Sequence, residues 1–593
     1  MTEEIGTTDR DYIRFLTSEM HRVLPESEQE DLFQRNSLLL TALRTGSLGI
    51  PERKDSLSNK DNPFFRSRNG ILYYRKTFDA LTSSEEIFRS LLKRNPPESQ
   101  KKEIPKILKE ITERSPLVLR KEGLETVLCG EGEQREALEA ALHSSFFVLT
   151  GGPGTGKTTV VTSLLRALVR LGYDPDKIGL AAPTGRAAQR LRESLENTLK
   201  FGTGTDPIDL KLYNLSTSTL HRLLRFDPNT RNYKYGKDFR LPYDVVVVDE
   251  VSMVDLDLMH SLLLSLPDTK RDRFRIVLLG DADQLPSVEA GAVLSDLAES
   301  ISRSENFYRL KTGRRQTGNA STIFDAAKEC ISADTDADSL LKTTFSVQSS
   351  PSLSEVPEAT IRDGFYRSEI DLKKDRIRFL SEYVEKCLLP GFSSLDKIRS
   401  DPRRLAEFLR ADLNHTRILT ILRQGEFGSE GINRDIIRLL LKQTKIRTIH
   451  LGTRVYFPGL PILIVKNDRS RGLFNGDTGL VLEFETITGE TEMRAVFFLD
   501  GTIRDFALDT LPPHEPAFAI TVHKSQGSEY DNVFILFPPD PSSETESPNE
   551  LLRKEILYTA LTRAKRKAIL LAEDKNLSVS LKRKSERLTG FRI

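Results

Sequence analysis

The stretch Phe146-Phe147-Val148-Leu149-Thr150-Gly151-Gly152-Pro153-Gly154-Thr155-Gly156-Lys157-Thr158-Thr159 decides the fold. An apolar run ends at Thr150, and a helical pattern through Val160, Leu164, Leu165 and Leu168 follows. Between them, Gly151 to Thr158 fits the phosphate-loop spacing G-x-x-x-x-G-K-[ST]. The chemistry needs these residue types. Glycines let backbone N–H groups turn inward around phosphates, and the helix N-terminus adds its dipole. Lys157 reaches the outer phosphates, and Thr158 offers an oxygen to Mg²⁺. A Gly-rich surface turn would not need the flanking strand and helix.

Working outward, Val245-Val246-Val247-Val248-Asp249-Glu250 ends a second apolar run on a carboxylate pair. Asp249 is placed to hold Mg²⁺ and Glu250 to polarise an attacking water, so the two strings together imply ATP hydrolysis. Ile178 to Ala182 and Ile276 to Leu279 are further apolar runs. Such runs suit strands buried on both faces of a parallel sheet and, alternating with helices, an α/β core.

The 593 residues suggest about four domains. Before residue 116 the pattern is mostly helical, with a hairpin from Phe64-Phe65 to Ile71–Tyr74 around Asn69-Gly70. A second α/β core starts at Ile418 to Leu422 and is interrupted by Gly-punctuated, strand-rich sequence from about 450 to 515. Ser346 to Ser354 reads as an exposed insertion, and Ala568 to Ala572 as the last strand. Lys plus Arg is 87 and Asp plus Glu is 86, a net charge of +1, which argues against binding nucleic acid through bulk charge but leaves room for a local groove. The three cysteines, Cys129, Cys330 and Cys387, are too dispersed for a disulfide framework or a zinc site. An acidic N-terminus and the absence of a long apolar run give the expectation of a soluble, cytoplasmic chain without a signal peptide.

More strings appear in a fixed order: Ala182-Pro183-Thr184-Gly185-Arg186-Ala187-Ala188, Ser218-Thr219-Leu220-His221, Gly280-Asp281-Ala282-Asp283-Gln284-Leu285-Pro286, Thr521-Val522-His523-Lys524-Ser525-Gln526-Gly527-Ser528-Glu529 and Tyr558-Thr559-Ala560-Leu561-Thr562-Arg563-Ala564. Together they resemble the superfamily-1 helicases over about residues 120 to 575. Leu422-Arg423-Gln424-Gly425-Glu426-Phe427-Gly428 and Gly472-Leu473-Phe474-Asn475-Gly476-Asp477 bring the resemblance closer, to the RecD family, the alpha subunit of exodeoxyribonuclease V.

The resemblance implies an α/β protein with two RecA-like P-loop NTPase cores, a helical N-terminal domain and a small inserted SH3-like β domain. The expected division is a docking domain at 1–115, a first core at 116–305, a second core at 306–449 and 516–593, and the insert at 450–515. The resemblance further implies that Gln134 reads adenine, that Gln284 senses the γ-phosphate and that Glu529 contacts the ribose. It implies arginine fingers at Arg315 and Arg563. Arg314 is the alternative to Arg315, because an arginine stands where the family has an aromatic residue. Gly151 to Thr159 would hold ATP. Pro183, Thr184, Arg186 and His221 from the first core, with His523, Lys524 and Ser525 from the second, would track DNA phosphates without reading sequence. Arg231 to Arg240 interleaves basic and aromatic residues, a pattern that suits a single strand or a plain exposed hairpin.

The expected activity is an ATP-dependent 5′→3′ DNA helicase, the motor of a helicase–nuclease complex with RecB-like and RecC-like subunits acting at duplex ends and single strands. A stand-alone RecD-like helicase and a nucleotide-gated DNA-binding scaffold are the alternatives. Stand-alone members carry a larger N-terminal extension, for which this sequence has no room. Pro267-Asp268-Thr269-Lys270 and Glu573-Asp574-Lys575 match a nuclease site only superficially, so cutting is expected of a partner chain.

Overall fold

The computed structural model describes residues 7–23, 32–52, 62–121, 124–201, 206–267, 273–313, 321–332, 336–346, 363–368, 371–392, 405, 408, 415–468, 470–485, 490–499, 502–539, 551–585 and 587–593. Six parallel strands form the first sheet: β1 (Phe146–Gly151), β2 (Ile178–Ala182), β3 (Thr217–Thr219), β4 (Val245–Val248), β5 (Arg275–Gly280) and β6 (Phe307–Leu310). They lie in the order β6-β1-β5-β4-β2-β3. All six residues of β1 and all four valines of β4 are buried, the pattern of strands covered on both faces. Helices α1 (Lys157–Arg170) and α2 (Gly185–Phe201) follow β1 and β2. The crossovers leave the C-terminal ends of β1, β4 and β5 side by side, where such sheets bind ligands.

Strand β6 lies beyond residue 305 yet pairs with β1, Phe307 opposite Val148. The expected break at 305/306 therefore falls one strand too early, because β6 has too little apolar alternation to announce itself. β3, Thr217-Ser218-Thr219, likewise carries no apolar pattern.

The second sheet is also parallel, ordered β7-β16-β15-β8-β14. Its strands are β7 (Gly364–Ser368), β8 (Thr416–Thr420), β14 (Ala519–Thr521), β15 (Tyr530–Leu536) and β16 (Ala564–Leu571). Between β8 and β14 the chain makes a small hairpin and then a five-stranded antiparallel sheet. Its strands β9 (Pro461–Ile464), β10 (Thr478–Glu485), β11 (Thr491–Leu499), β12 (Thr502–Ala507) and β13 (His514–Pro516) lie in the order β12-β11-β10-β9-β13. Along β11, Met493, Ala495, Phe497 and Leu499 join the core of the second unit, while Val496 joins a smaller cluster with Leu480 and Leu482.

The N-terminal hairpin forms around Asn69, in the left-handed region at φ 55, and Gly70. Gly49–Pro51 adds a third strand. Helix Arg75–Leu92 does not stand apart: its Ala80, Leu81, Phe88 and Leu91 share one core with Val246, Val248, Met259 and Leu262 of the first α/β unit. No described helix is long and apolar enough to cross a membrane.

Candidate active site

The phosphate loop is built as its spacing predicts. Gly154 (φ +80) and Gly156 (φ +94) take backbone angles that a side chain resists. A Cβ on Gly156 would collide with the Gln134 amide nitrogen. Gln134 is buried and donates to Thr155 O at 3.1 Å, while its own Oε1 has no hydrogen-bond partner. It braces the loop through this contact. Thr155 ties the loop to itself through Gly152 O at 2.8 Å. The Lys157 ammonium donates to the carbonyls of Gly151 and Gly152 at 2.6 and 3.2 Å. Pro153, Thr158 and Thr159 flank it, half-buried.

Asp249 and Glu250 follow β4 directly. Asp249 Oδ1 accepts the Glu250 N–H at 2.8 Å. Glu250 itself sits at φ 53, ψ 41, a left-handed conformation uncommon for a residue with a side chain. Burial raises the Asp249 carboxyl to about 6; the neighbouring Glu250 charge adds to this and Lys157 opposes it. Asp281, after β5, is pushed to about 6 by the same cause, again opposed by Lys157. Lys157 thus faces two reluctant carboxylates.

Gln284 donates to Asp281 Oδ2 at 3.0 Å and keeps a buried, unpartnered Oε1. The second α/β unit closes on this point. Tyr558 donates to the same Asp281 oxygen at 2.8 Å, Thr559 Oγ accepts the Leu285 N–H at 2.9 Å, and Gln526 donates to Leu285 O at 2.8 Å. Arg190 of α2 pairs with Glu529 at 2.6 Å. Arg563 is 1% exposed and donates to Thr559 O and Ser528 O at 3.1 and 3.2 Å. Burial lowers its pKa, while the charges of Glu250 and Glu529 act the other way.

Lys157, Asp249, Glu250, Gln284, Glu529 and Arg563 are therefore brought to one seam between the two sheets. Arg315 and Arg314 lie outside the described residues. Arg190 and Tyr558 were not singled out from sequence. Tyr558 opens the stretch Tyr558 to Ala564, but nothing in its spacing distinguishes a cleft hydroxyl from a core tyrosine.

The expected DNA-facing residues separate. Pro183 is half-buried, and Thr184 caps α2 by accepting the Ala187 N–H at 3.2 Å. Arg186 reaches the insert, donating to Gly476 O and Thr478 Oγ at 3.3 and 3.1 Å. His221, on the short helix Leu220–Leu223, packs edge-on against Phe226, 5.5 Å between ring centres, where the next short hairpin pairs Phe226 with Tyr233. His523 is half-buried and its imidazole is made less basic by burial. Lys524 pairs with Glu515 at 2.5 Å. Ser525 is fully buried and donates to Val522 O at 2.7 Å, so it closes its own turn and does not line the groove. Spacing cannot reveal this, because the hydroxyl has a closer local acceptor.

No group of three or more His, Cys, Asp or Glu among the described residues could hold a metal by itself. Of the two nuclease-like strings, 268–270 lies outside the described residues, and Asp574 opens a helix and pairs with Arg367.

Residues 134–290 match the AAA domain family, and residues 516–571 match the UvrD-like helicase C-terminal domain. The RecBCD enzyme subunit RecD of Mycolicibacterium smegmatis is 36% identical over 477 residues, 78% of this chain and 74% of the relative. Its counterpart in Haemophilus influenzae is 33% identical over 484 residues, 77% and 71% of the two chains. The ATP-dependent RecD2 DNA helicase of Deinococcus radiodurans is 28% identical, covering 73% of this chain but 48% of that one. Among solved structures, Pif1 helicase from Bacteroides in complex with ADP-AlF3 and single-stranded DNA covers 76% of this chain at 18% identity, with a TM-score of 0.39. Identity above 30% across more than two thirds of both chains is what shared descent of the whole motor unit produces, and the chain belongs to the RecD family.

Proposed function

We propose that the chain is an ATP-dependent DNA helicase, the 5′→3′ motor subunit of a RecBCD-type complex. The observation that carries this is the seam: a phosphate loop and carboxylate pair on one parallel sheet meet Gln526, Glu529, Tyr558 and Arg563 of a second. A site shared between two α/β units turns nucleotide binding into relative motion of those units, which is what a translocating motor needs.

In this reading the loop N–H groups and Lys157 bind the phosphates, and Lys157 gives up its contacts with Gly151 and Gly152 to do so. Glu250 polarises the attacking water, Gln284 orients on the γ-phosphate, and Arg563 turns from Ser528 toward it. The Thr158 hydroxyl and Asp249 carboxylate are hard oxygen donors of the kind Mg²⁺ takes when it shares its sphere with phosphates. Mg²⁺ there would neutralise charge on the phosphate oxygens. Arg315, or Arg314 beside it, is the other finger.

The five-stranded insert is the SH3-like domain, and the nuclease belongs to a partner chain. Docking on RecB-like and RecC-like subunits is supported by the N-terminal helices, where Tyr12 and Phe15 are 55% and 62% exposed. DNA tracking falls to Pro183, Thr184, His221, His523 and Lys524.

Strand displacement on 5′- and 3′-tailed duplexes tests the reading, with the full chain alone and with co-purified subunits. Unwinding from 5′ tails that disappears in Lys157→Gln is expected. Unwinding only from 3′ tails would refute the polarity, and DNA-stimulated ATPase persisting in Lys157→Gln would refute the site.

A further inference from the structure

Tyr558 is a tyrosine in an unusual position. It lies on helix Lys554–Leu561 of the second α/β unit, yet its hydroxyl is committed to the first. Asp281 Oδ2 accepts two donors at once, the Tyr558 hydroxyl at 2.8 Å and the Gln284 amide at 3.0 Å. The same hydroxyl lies over the phosphate loop: a Cβ on Gly152 would come within 3.0 Å of it. One residue on, Thr559 holds the Leu285 N–H. Arg563 closes the segment, with its Nε on Thr559 O. Tyr558 is 5% exposed, and burial with the Asp281 charge keeps its hydroxyl protonated and therefore a donor.

We propose that Tyr558 is a positioning residue for ATP hydrolysis, fixing Gln284 through the shared Asp281 oxygen and linking it to the segment that carries Arg563. The inference rests on the helicase reading above. An amide nitrogen has two hydrogens. Asp281 takes one from Gln284 and leaves the other for a phosphate oxygen. The carboxylate can hold that amide in one orientation only if it is itself held, and the Tyr558 hydroxyl does so from across the seam. The γ-phosphate, Gln284, Asp281, Tyr558 and the Arg563 segment then form one hydrogen-bonded line. When the phosphate leaves, the line loses its end and the two units lose the contact that keeps the arginine in register. Tyr558 touches neither water nor phosphate in this account; it acts through Asp281.

The test compares the full-length wild type, Tyr558→Phe, Asp281→Asn and the double variant by single-strand-stimulated ATPase, ATP consumed per base pair unwound and thermal melting. Tyr558→Phe is expected to lower kcat about tenfold, to leave KM for ATP within about twofold and to raise the ATP consumed per base pair. The double variant is expected to be no worse than Asp281→Asn alone, because both single changes cut the same line. Wild-type kcat and coupling in Tyr558→Phe, a defect confined to KM, or multiplicative defects in the double variant would overturn the proposal. If Tyr558→Phe melts early, the double-variant comparison at a lower temperature still decides. A wild type without DNA-stimulated ATPase would sink the helicase reading; a wild type that hydrolyses beside an unaffected Tyr558→Phe sinks only this inference.

Discussion

At the scale of single residues, the site depends on backbone angles that ordinary side chains avoid. Gly156 combines φ +94 with a neighbour, Gln134, that occupies the space of a Cβ. Gly156→Ala should therefore displace Gln134 and the loop together, costing about 1–3 kcal/mol of stability and most of the nucleotide affinity. Melting temperature and nucleotide titration check this, and near-wild-type binding would contradict it. Glu250 takes a similar conformation with a side chain present. Glu250→Gln should keep nucleotide binding but slow hydrolysis by about 10²-fold or more, the scale lost with a positioned general base. A loss of binding instead would assign Glu250 to holding the nucleotide. Of these features the glycines and carboxylates were legible as a string. The Gln134 brace was not, because contact across the 21 residues to Thr155 is set by how the preceding helix docks.

At the scale of elements, the loop 472–477 of the insert rests on the first α/β unit. Phe474 lies against Gly185, with the Arg222 guanidinium 5.4 Å from its ring, and Gly476 O accepts from Arg186. A β insert in the second half of the chain thus sits on the two strings expected to face DNA. Phe474→Ala should loosen this seat by about 1 kcal/mol from the cation–π contact alone. Limited proteolysis of the insert should accelerate, and unchanged cleavage would show that the sheet is held elsewhere. The loop's string was recognisable, and the insert's strands were legible from their glycines. Its landing place, nearly 300 residues earlier, leaves no periodic trace.

At the scale of the molecule, the C-terminal residues 587–593 do not stay with the second unit. Leu588 O accepts from Leu48 N, Thr589 O from the Tyr73 hydroxyl, and Phe591 packs on Phe88 with ring centres 6.1 Å apart. Arg587 donates to Ser287 O at 2.8 Å, just past the Gln284 loop. The tail clips the N-terminal hairpin and helix Arg75–Leu92 to the first core. Phe591→Ala should cost about 3 kcal/mol and expose the segment before residue 116 to proteases. Asp296 lies beneath this tail. Burial raises its carboxyl to about 6, opposed by the Thr589 hydroxyl and the Arg587 charge. Between the reference 3.8 and about 6 the folded chain keeps a proton that the unfolded chain has released. Stability therefore falls as pH rises through that window, by about 3 kcal/mol from this group. Asp296→Asn should flatten the dependence, which denaturant melts across the window would measure; an unchanged slope would assign it to other groups.

The sequence by itself determined the parallel α/β architecture, the phosphate loop, the carboxylate pair and the place of the insert. Each is written in contiguous residues, as an apolar run, a turn or a spacing that local geometry enforces. Only the tertiary structure decided that β6 belongs to the first sheet, that Ser525 is buried, that Arg186 meets the insert and that the tail crosses to the N-terminal module. Those outcomes depend on which distant surfaces come together. It also brought Tyr558 and Gln284 onto one oxygen of Asp281, 277 residues from the tyrosine. A hydrogen bond across that separation follows from the docking of two sheets, and no spacing in the chain encodes it.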